Sequence, residues 1–260
     1  MKLLDACVSA RYTRGADALR EVEISIEAGE MVGLIGESGS GKSTLALALL
    51  RLLDERKTEI RGCVEFEECD LLSLPERRMR EIRGNRISLV LQSPLSALNP
   101  MLTIGAHFRE TWIAHEKRYK GAWKPRAAFL LERVSLPSGD DFLRRYPREI
   151  SVGQAQRALI AMAIMHNPSL LIADEPTSSL DTITQSEILR LFRDLNSECG
   201  TAMLIISHDL LSVANLCSRI SILRQGQLIE SGPVRQVFDY PRHEYTERLI
   251  GAISSLSWRE

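Results

Sequence analysis

Residues 36–44 read Gly-Glu-Ser-Gly-Ser-Gly-Lys-Ser-Thr. A glycine, four residues and then Gly-Lys-Ser/Thr is the phosphate-loop pattern. It constrains the fold because its mechanism needs a strand before it and a helix after it. Residues 31–35, Met-Val-Gly-Leu-Ile, form an apolar run suited to a buried strand, and residues 43–53 are rich in Leu and Ala and suited to a helix. Gly36, Gly39 and Gly41 let the backbone curl closely around phosphate oxygens. The loop amides and the start of the helix then face an anion. Lys42 can reach the β- and γ-phosphates, and Ser43 can ligate Mg²⁺. The run Gly36, Glu37, Ser38, Gly39, Ser40, Gly41, Lys42, Ser43 and Thr44 is therefore the candidate cradle for a nucleotide.

Strand-like and helical segments alternate along the chain. Residues 4–10, 22–26 and 62–66 have the short apolar/polar alternation of half-buried strands. They predict a small antiparallel layer beside the phosphate-loop sheet, with residues 14–17 as the turn between the first two. From about residue 104 to 165 the pattern is helical, over 105–116, 125–134 and 152–165, with Pro125 placed to open its helix. The α/β alternation then resumes, with strands at 170–173 and 202–206 and helices at 182–195 and 210–216. A hairpin over 219–229 turns at Gln225-Gly226, and terminal helices over 233–250 break at Pro241. Such alternation predicts an α/β fold with a mainly parallel sheet, its ligand at the carboxyl ends of the strands. The expected organisation is one domain over residues 1–250, a helical subdomain of about 104–165 inserted in the core, and a C-terminal helical extension over 233–260.

The whole-chain properties restrict partners. The formal net charge of -1 over 260 residues gives no global field to draw in nucleic acid or an acidic membrane surface. No apolar run approaches the length needed to span a bilayer, and the N-terminus lacks the pattern of a signal peptide. Cys7, Cys63, Cys69, Cys199 and Cys217 form no Cys-x-x-Cys pair, and their odd number fits reduced cytosolic thiols rather than a disulfide framework.

The second half of a nucleotide site needs a carboxylate for the metal and a base for water. Residues 170–175, Leu-Leu-Ile-Ala-Asp-Glu, place both at the end of a buried strand. Asp174 is the Walker-B-type acid for Mg²⁺, and Glu175 is the candidate general base. The alternative is that the two acids cap the following helix.

Ile150-Ser151-Val152-Gly153-Gln154 resembles the Leu-Ser-Gly-Gly-Gln signature of the ATP-binding cassette (ABC) family. Other elements of that family follow in order over nearly the whole chain. Tyr12 sits where the family stacks an aromatic ring on adenine. Gln92, after a strand at 87–91, matches the Q-loop glutamine, which would also approach the metal. Ser179-Leu180-Asp181 matches the D-loop, and His208 the switch histidine that contacts the γ-phosphate. The resemblance implies catalytic roles for Glu175, His208 and Gln92. It implies nucleotide contacts from Tyr12, Ser151, Gly153, Gln154 and Asp181 beside those of the phosphate loop, and metal contacts from Ser43, Gln92 and Asp174. It also implies that the signature helix closes on ATP held by a second ATPase subunit, the same chain or a similar one. Val152 departs from the family's glycine. It would be strained if the backbone there needed positive φ, and would cost little if the backbone were helical.

Three further segments resemble the dipeptide, oligopeptide and nickel importers of that family: residues 93–100 (Ser-Pro-Leu-Ser-Ala-Leu-Asn-Pro), 146–149 (Tyr-Pro-Arg-Glu), and Pro241-Arg242-His243-Glu244-Tyr245-Thr246. That resemblance implies an ATPase bound to the cytoplasmic face of a membrane under integral-membrane permease subunits, served indirectly by an extracytoplasmic solute-binding protein. No cysteine follows residue 246, so no iron–sulfur cluster is expected. The alternative from the same resemblance is an accessory ATPase of a soluble complex of the carbon–phosphorus lyase type.

Overall fold

A computed structural model describes residues 1–13, 15, 17–116, 119–178 and 180–253. The chain forms two compact units, Met1–Leu74 with Met203–Glu260, and Pro75–Ala202.

The first unit opens with strands β1 (Lys2–Tyr12) and β2 (Asp17–Glu27), paired antiparallel from Lys2↔Glu27 to Arg11↔Asp17. Leu4, Ala6, Val8 and Ala10 are buried in alternation on β1, and Val22, Ile24 and Ile26 on β2. Successive side chains of a strand point to opposite faces, so this alternation gives the pair one apolar face. Strand β3 (Met31–Ile35) is buried at all five positions, and helix α1 (Lys42–Leu49) follows the phosphate loop. Strand β4 (Thr58–Phe66) pairs with the free side of β1, and the short β5 (Cys69–Asp70) extends it, giving the order β2-β1-β4-β5. The expected antiparallel layer is present and longer than its apolar alternation suggested, because backbone pairing continues through polar ends such as Arg11 and Glu59. Arg14 and Ala16 of the expected turn lie outside the described residues.

The second unit contains helix α2 (Glu76–Ile82), strand β6 (Ile87–Val90) and helices α3 (Pro94–Ala97), α4 (Ile104–His115), α5 (Trp123–Arg133), α6 (Asp140–Leu143) and α7 (Val152–Ala163). Strand β7 (Leu170–Asp174) and helix α8 (Thr182–Cys199) complete it. Strands β6 and β7 are parallel, from Ile87↔Leu170 to Val90↔Ala173. Helix α7 packs on β6 and on α3, α4 and α5. Helix α5 begins two residues before Pro125, which occupies the first turn, where its missing N–H has no intrahelical acceptor to satisfy. Helix α8 shows why this stretch is helical. It buries Ile188, Leu191, Phe192 and Leu195 at helical spacing, is N-capped by Asp181, and ends at Gly200 in the left-handed conformation with φ 65°.

Strand β8 (Ala202–Ser207) opens the return to the first unit, followed by α9 (Leu210–Leu216), β9 (Arg219–Arg224), β10 (Gln227–Pro233), α10 (Val234–Asp239) and α11 (Glu244–Ile253). Strand β3 lies between β8 and β9 and is parallel to both, with Ile35 opposite Ser207 on one side and Ile222 on the other. Strands β9 and β10 are antiparallel across Gln225 and Gly226, whose φ values of 48° and 76° suit a tight type I′ hairpin turn. Among the described residues no helix is long and apolar enough to cross a membrane.

Candidate nucleotide-binding site

In the first unit the phosphate loop leaves the buried strand β3 and enters α1 with Gly39 at φ 79° and Gly41 at φ 108°. Gly36 is needed for close approach: a Cβ there would stand 2.2 Å from the Leu223 carbonyl oxygen and 2.7 Å from Ser40 Oγ. Lys42 is 6% exposed. Its Nζ donates to the carbonyls of Gly36 (2.8 Å) and Glu37 (3.0 Å), so the ammonium is held inside the curve of the loop. Helix α1 has no side-chain cap and no acidic residue in its first turn. Its positive end is therefore not offset by the chain itself, which suits a polyphosphate. Glu37, Ser38, Gly39 and Ser43 are exposed at the loop and Thr44 is half-buried, whereas Ser40 is buried, its carbonyl accepting from the Gly226 amide at 2.8 Å.

Tyr12, at the end of β1, is 42% exposed and its hydroxyl lies 3.4 Å from Thr44 Oγ1. An aromatic face is thus presented beside the first turn of α1. His208 is exposed just past β8. Since Ile35 pairs with Ser207, Gly36 and His208 both lie one residue beyond the same rung of the sheet. The neighbouring Asp209, not His208, caps α9, accepting from the amides of Leu211 (3.1 Å) and Ser212 (3.3 Å). The imidazole is therefore not used as a helix cap. Lys42, Ser43, Tyr12 and His208 thus lie at one edge of this unit.

In the second unit Asp174 is the last residue of β7 and Glu175 follows it, 6% and 7% exposed. Glu175 has φ 47°, a left-handed backbone that costs a non-glycine residue on the order of 1 kcal/mol. The turn that holds it there is closed by its carbonyl, which accepts from Ser178 N (3.3 Å) and Oγ (3.1 Å). The following helix α8 is capped by Asp181, so capping that helix is not the work of Asp174 and Glu175. Gln92 is exposed two residues past β6. The β6–β7 register ends at Val90↔Ala173, so Gln92 and Glu175 lie equally far beyond it at the same end of the pair.

The signature region is a capping box at the start of α7. Ser151 Oγ accepts from Gln154 N (3.2 Å), and Gln154 Oε1 accepts from Ser151 N (3.0 Å). Val152 is the first helical residue and is not among the residues with positive φ. Steric strain is thus removed as a consequence of the family's missing glycine. Gly153 does have a packing role, since a Cβ there would come within 3.0 Å of Thr184 Cγ2 on α8. Asp181 accepts from the amides of Ile183 (3.1 Å) and Thr184 (3.0 Å) and from Thr184 Oγ1 (2.7 Å). The Thr184 hydroxyl first, then these amides, hold its carboxyl below the usual range. Ser179 of the expected D-loop lies outside the described residues. Replacing Val152 with glycine is expected to lower stability by about 0.2–0.5 kcal/mol, because glycine loses more backbone freedom than valine in a helix. Denaturant titration of the purified chain checks this, and a gain in stability would contradict the helical backbone at this position.

Sequence reasoning placed no weight on Arg224 or Glu230, which hold the 241–246 segment, and read Gly226, whose amide supports the phosphate loop at Ser40, only as a hairpin turn. The segment at 241–246, noted for its resemblance, was the available signal.

A family described as ABC transporter matches residues 19–178. The chain belongs to the ABC transporter family. It is 39% identical over 258 residues to the oligopeptide transport ATP-binding protein OppD of Bacillus subtilis (strain 168), covering 98% of this chain and 72% of that one. It is 42% identical over 240 residues to a Brucella abortus (strain 2308) protein named for peptide import ATP binding, covering 92% and 72%. Among solved structures it resembles the dimeric, post-hydrolysis ATP-binding cassette MJ0796 bound to ADP and Pi, with a TM-score of 0.79, 29% identity, and coverage of 89% of this chain and 99% of that one. The ABC ATPase fold inferred from the motifs is thus the fold found, and membership implies ATP hydrolysis. The residues of the loop fit ATP and Mg²⁺, since its glycines leave a cradle, Lys42 supplies a buried cation and Ser43 an exposed hydroxyl.

Proposed function

We propose that this chain is the ATP-hydrolysing subunit of an importer for peptides or a similar small solute. The observation that carries the reading is the phosphate loop, with the Lys42 ammonium buried against two loop carbonyls beneath an uncapped helix start. That arrangement favours a triphosphate over a neutral ligand, by charge and by shape. The names of the similar proteins support peptides as the cargo class.

In this reading Lys42 and the amides of residues 36–44 bind the phosphates, Tyr12 stacks on the base, and Ser43, Gln92 and Asp174 serve the metal. Glu175 takes the proton of the attacking water, and His208 senses the γ-phosphate. Ser151, Gly153, Gln154 and Asp181 serve the nucleotide of a second ATPase subunit, whether another copy or a similar chain. Residues 104–165 act as a helical arm, and residues 233–260 as a C-terminal extension. The arm and the loop after Gln92 meet integral-membrane permease subunits on the cytoplasmic face, and a solute-binding protein outside delivers the cargo. Closure of the ATPase pair follows from unequal affinity of its open and closed states for ATP and ADP.

The test is purification of the tagged full-length chain from solubilised membranes, with peptide uptake measured in the strain lacking it. Permease subunits should accompany the chain, and uptake should be lost with the gene. Recovery with a soluble enzyme complex instead, with uptake intact, would overturn the importer reading in favour of an accessory ATPase.

A further inference from the structure

Three stretches of backbone meet at the phosphate loop: β2 near Ala18, the loop itself, and the hairpin between β9 and β10. The Ala18 carbonyl oxygen stands where a Cβ on Gly41 would come within 2.8 Å and a Cβ on Gly226 within 2.5 Å. The Leu223 carbonyl closes on Gly36 in the same way. Gly226, at φ 76°, is the one of these three glycines that lies outside the loop motif. Its close approach to β2 and its left-handed backbone both exclude a side chain.

A series of hydrogen bonds runs through this contact. Arg20 Nη2 on β2 donates to the Gln225 carbonyl at 3.1 Å. The next amide along the chain, Gly226 N, donates to the Ser40 carbonyl at 2.8 Å. A trans peptide is planar, with its C=O and N–H on opposite sides. The Gln225–Gly226 peptide therefore receives the guanidinium on one side and donates to the loop on the other. By the same geometry the Ser40 carbonyl, held toward the hairpin, turns the Gly41 N–H away from it. Gly41 is the residue that leads into Lys42 and α1. Arg20 N also donates to the Gly226 carbonyl at 2.7 Å, which ties the far side of the turn to β2. Hydrogen bonds in series polarise one another, and a cation at the head of the series strengthens donation at its tail.

We propose that Arg20 and Gly226 are positioning residues for ATP: through the Gln225–Gly226 and Ser40–Gly41 peptides they aim the Gly41 amide at the phosphates. This rests on the reading of the loop as an ATP site and extends its supports to two residues outside the motif. Neither residue needs to touch the nucleotide. Loss of the Arg20 guanidinium leaves the Gln225–Gly226 peptide held from one side only. A Cβ on Gly226 pushes the turn off Ala18 and draws its amide from Ser40.

The test uses the full-length chain and direct titration with ATP, together with thermal melting. Arg20 is exposed, so Arg20→Met removes the head of the series without disturbing the core. It should weaken ATP binding about threefold, with a melting temperature within about 2 °C of the parent. The same ratio should hold in about 0.5 M salt, because bonded groups are screened far less than a distant charge. Gly226→Ala should weaken binding about tenfold. Gly200→Ala puts the same left-handed strain at the end of α8, where a Cβ meets nothing within 4 Å. It should lower the melting temperature and leave ATP affinity unchanged. Parent-like affinity in Arg20→Met would overturn the proposal, whether or not Gly226→Ala folds. So would a loss in Arg20→Met that vanishes in high salt, or a loss in Gly200→Ala equal to that in Gly226→Ala. A parent chain that fails to bind ATP would instead remove the underlying reading of the loop.

Discussion

Glu175→Gln should leave ATP affinity within about twofold of the parent and reduce hydrolysis by at least about a hundredfold, the usual scale for loss of a general base. The amide has the size and shape of the carboxyl group, so the buried position and the turn closed by Ser178 are kept. What is lost is an acceptor basic enough to take a proton from water. The strained backbone at φ 47° is consistent with a position held for function. ATP titration and single-turnover hydrolysis on the assembled complex separate the two effects. Near-normal turnover would remove Glu175 from its role, and a parallel loss of binding would point to collapse of the turn.

Lys42→Ala should weaken ATP binding by roughly 10- to 100-fold, the scale for losing hydrogen bonds from a charged donor in a buried site. Two carbonyls converge on the ammonium at 2.8 and 3.0 Å, and alanine leaves them facing one another without a donor. The loop then presents carbonyl dipoles where a cation had been, which repels phosphate. Fluorescent-ATP titration reads the loss, and thermal melting separates it from unfolding. Unchanged affinity would mean that the amides and the α1 terminus bind phosphate without the lysine.

The predictions differ in where their supports lie along the chain. Strand β3 was legible to the residue, because five apolar positions in a row before a glycine-rich loop admit little else. The α7 terminus was legible as an N-cap at Ser151, since serine bonds its own helix three residues on. Helices α2 and α6 were not anticipated. They are short, and α2 buries only Met79, so no apolar periodicity marked it. The question left by Val152 was one of φ, and no neighbouring residue type reports φ. The helical start answered it.

By itself the sequence determined the phosphate loop, the acid pair and the order of the motifs. The bonds that shape those features run between near neighbours, as from Lys42 to Gly36 and Glu37, six and five residues apart. Only the tertiary structure decided that the Leu223 carbonyl closes on Gly36 and that the Gly226 amide donates to the Ser40 carbonyl. The two ends of that support are far apart in the chain, and chain folding alone brings them together. A local pattern records which face of an element is buried, but not which distant element covers it.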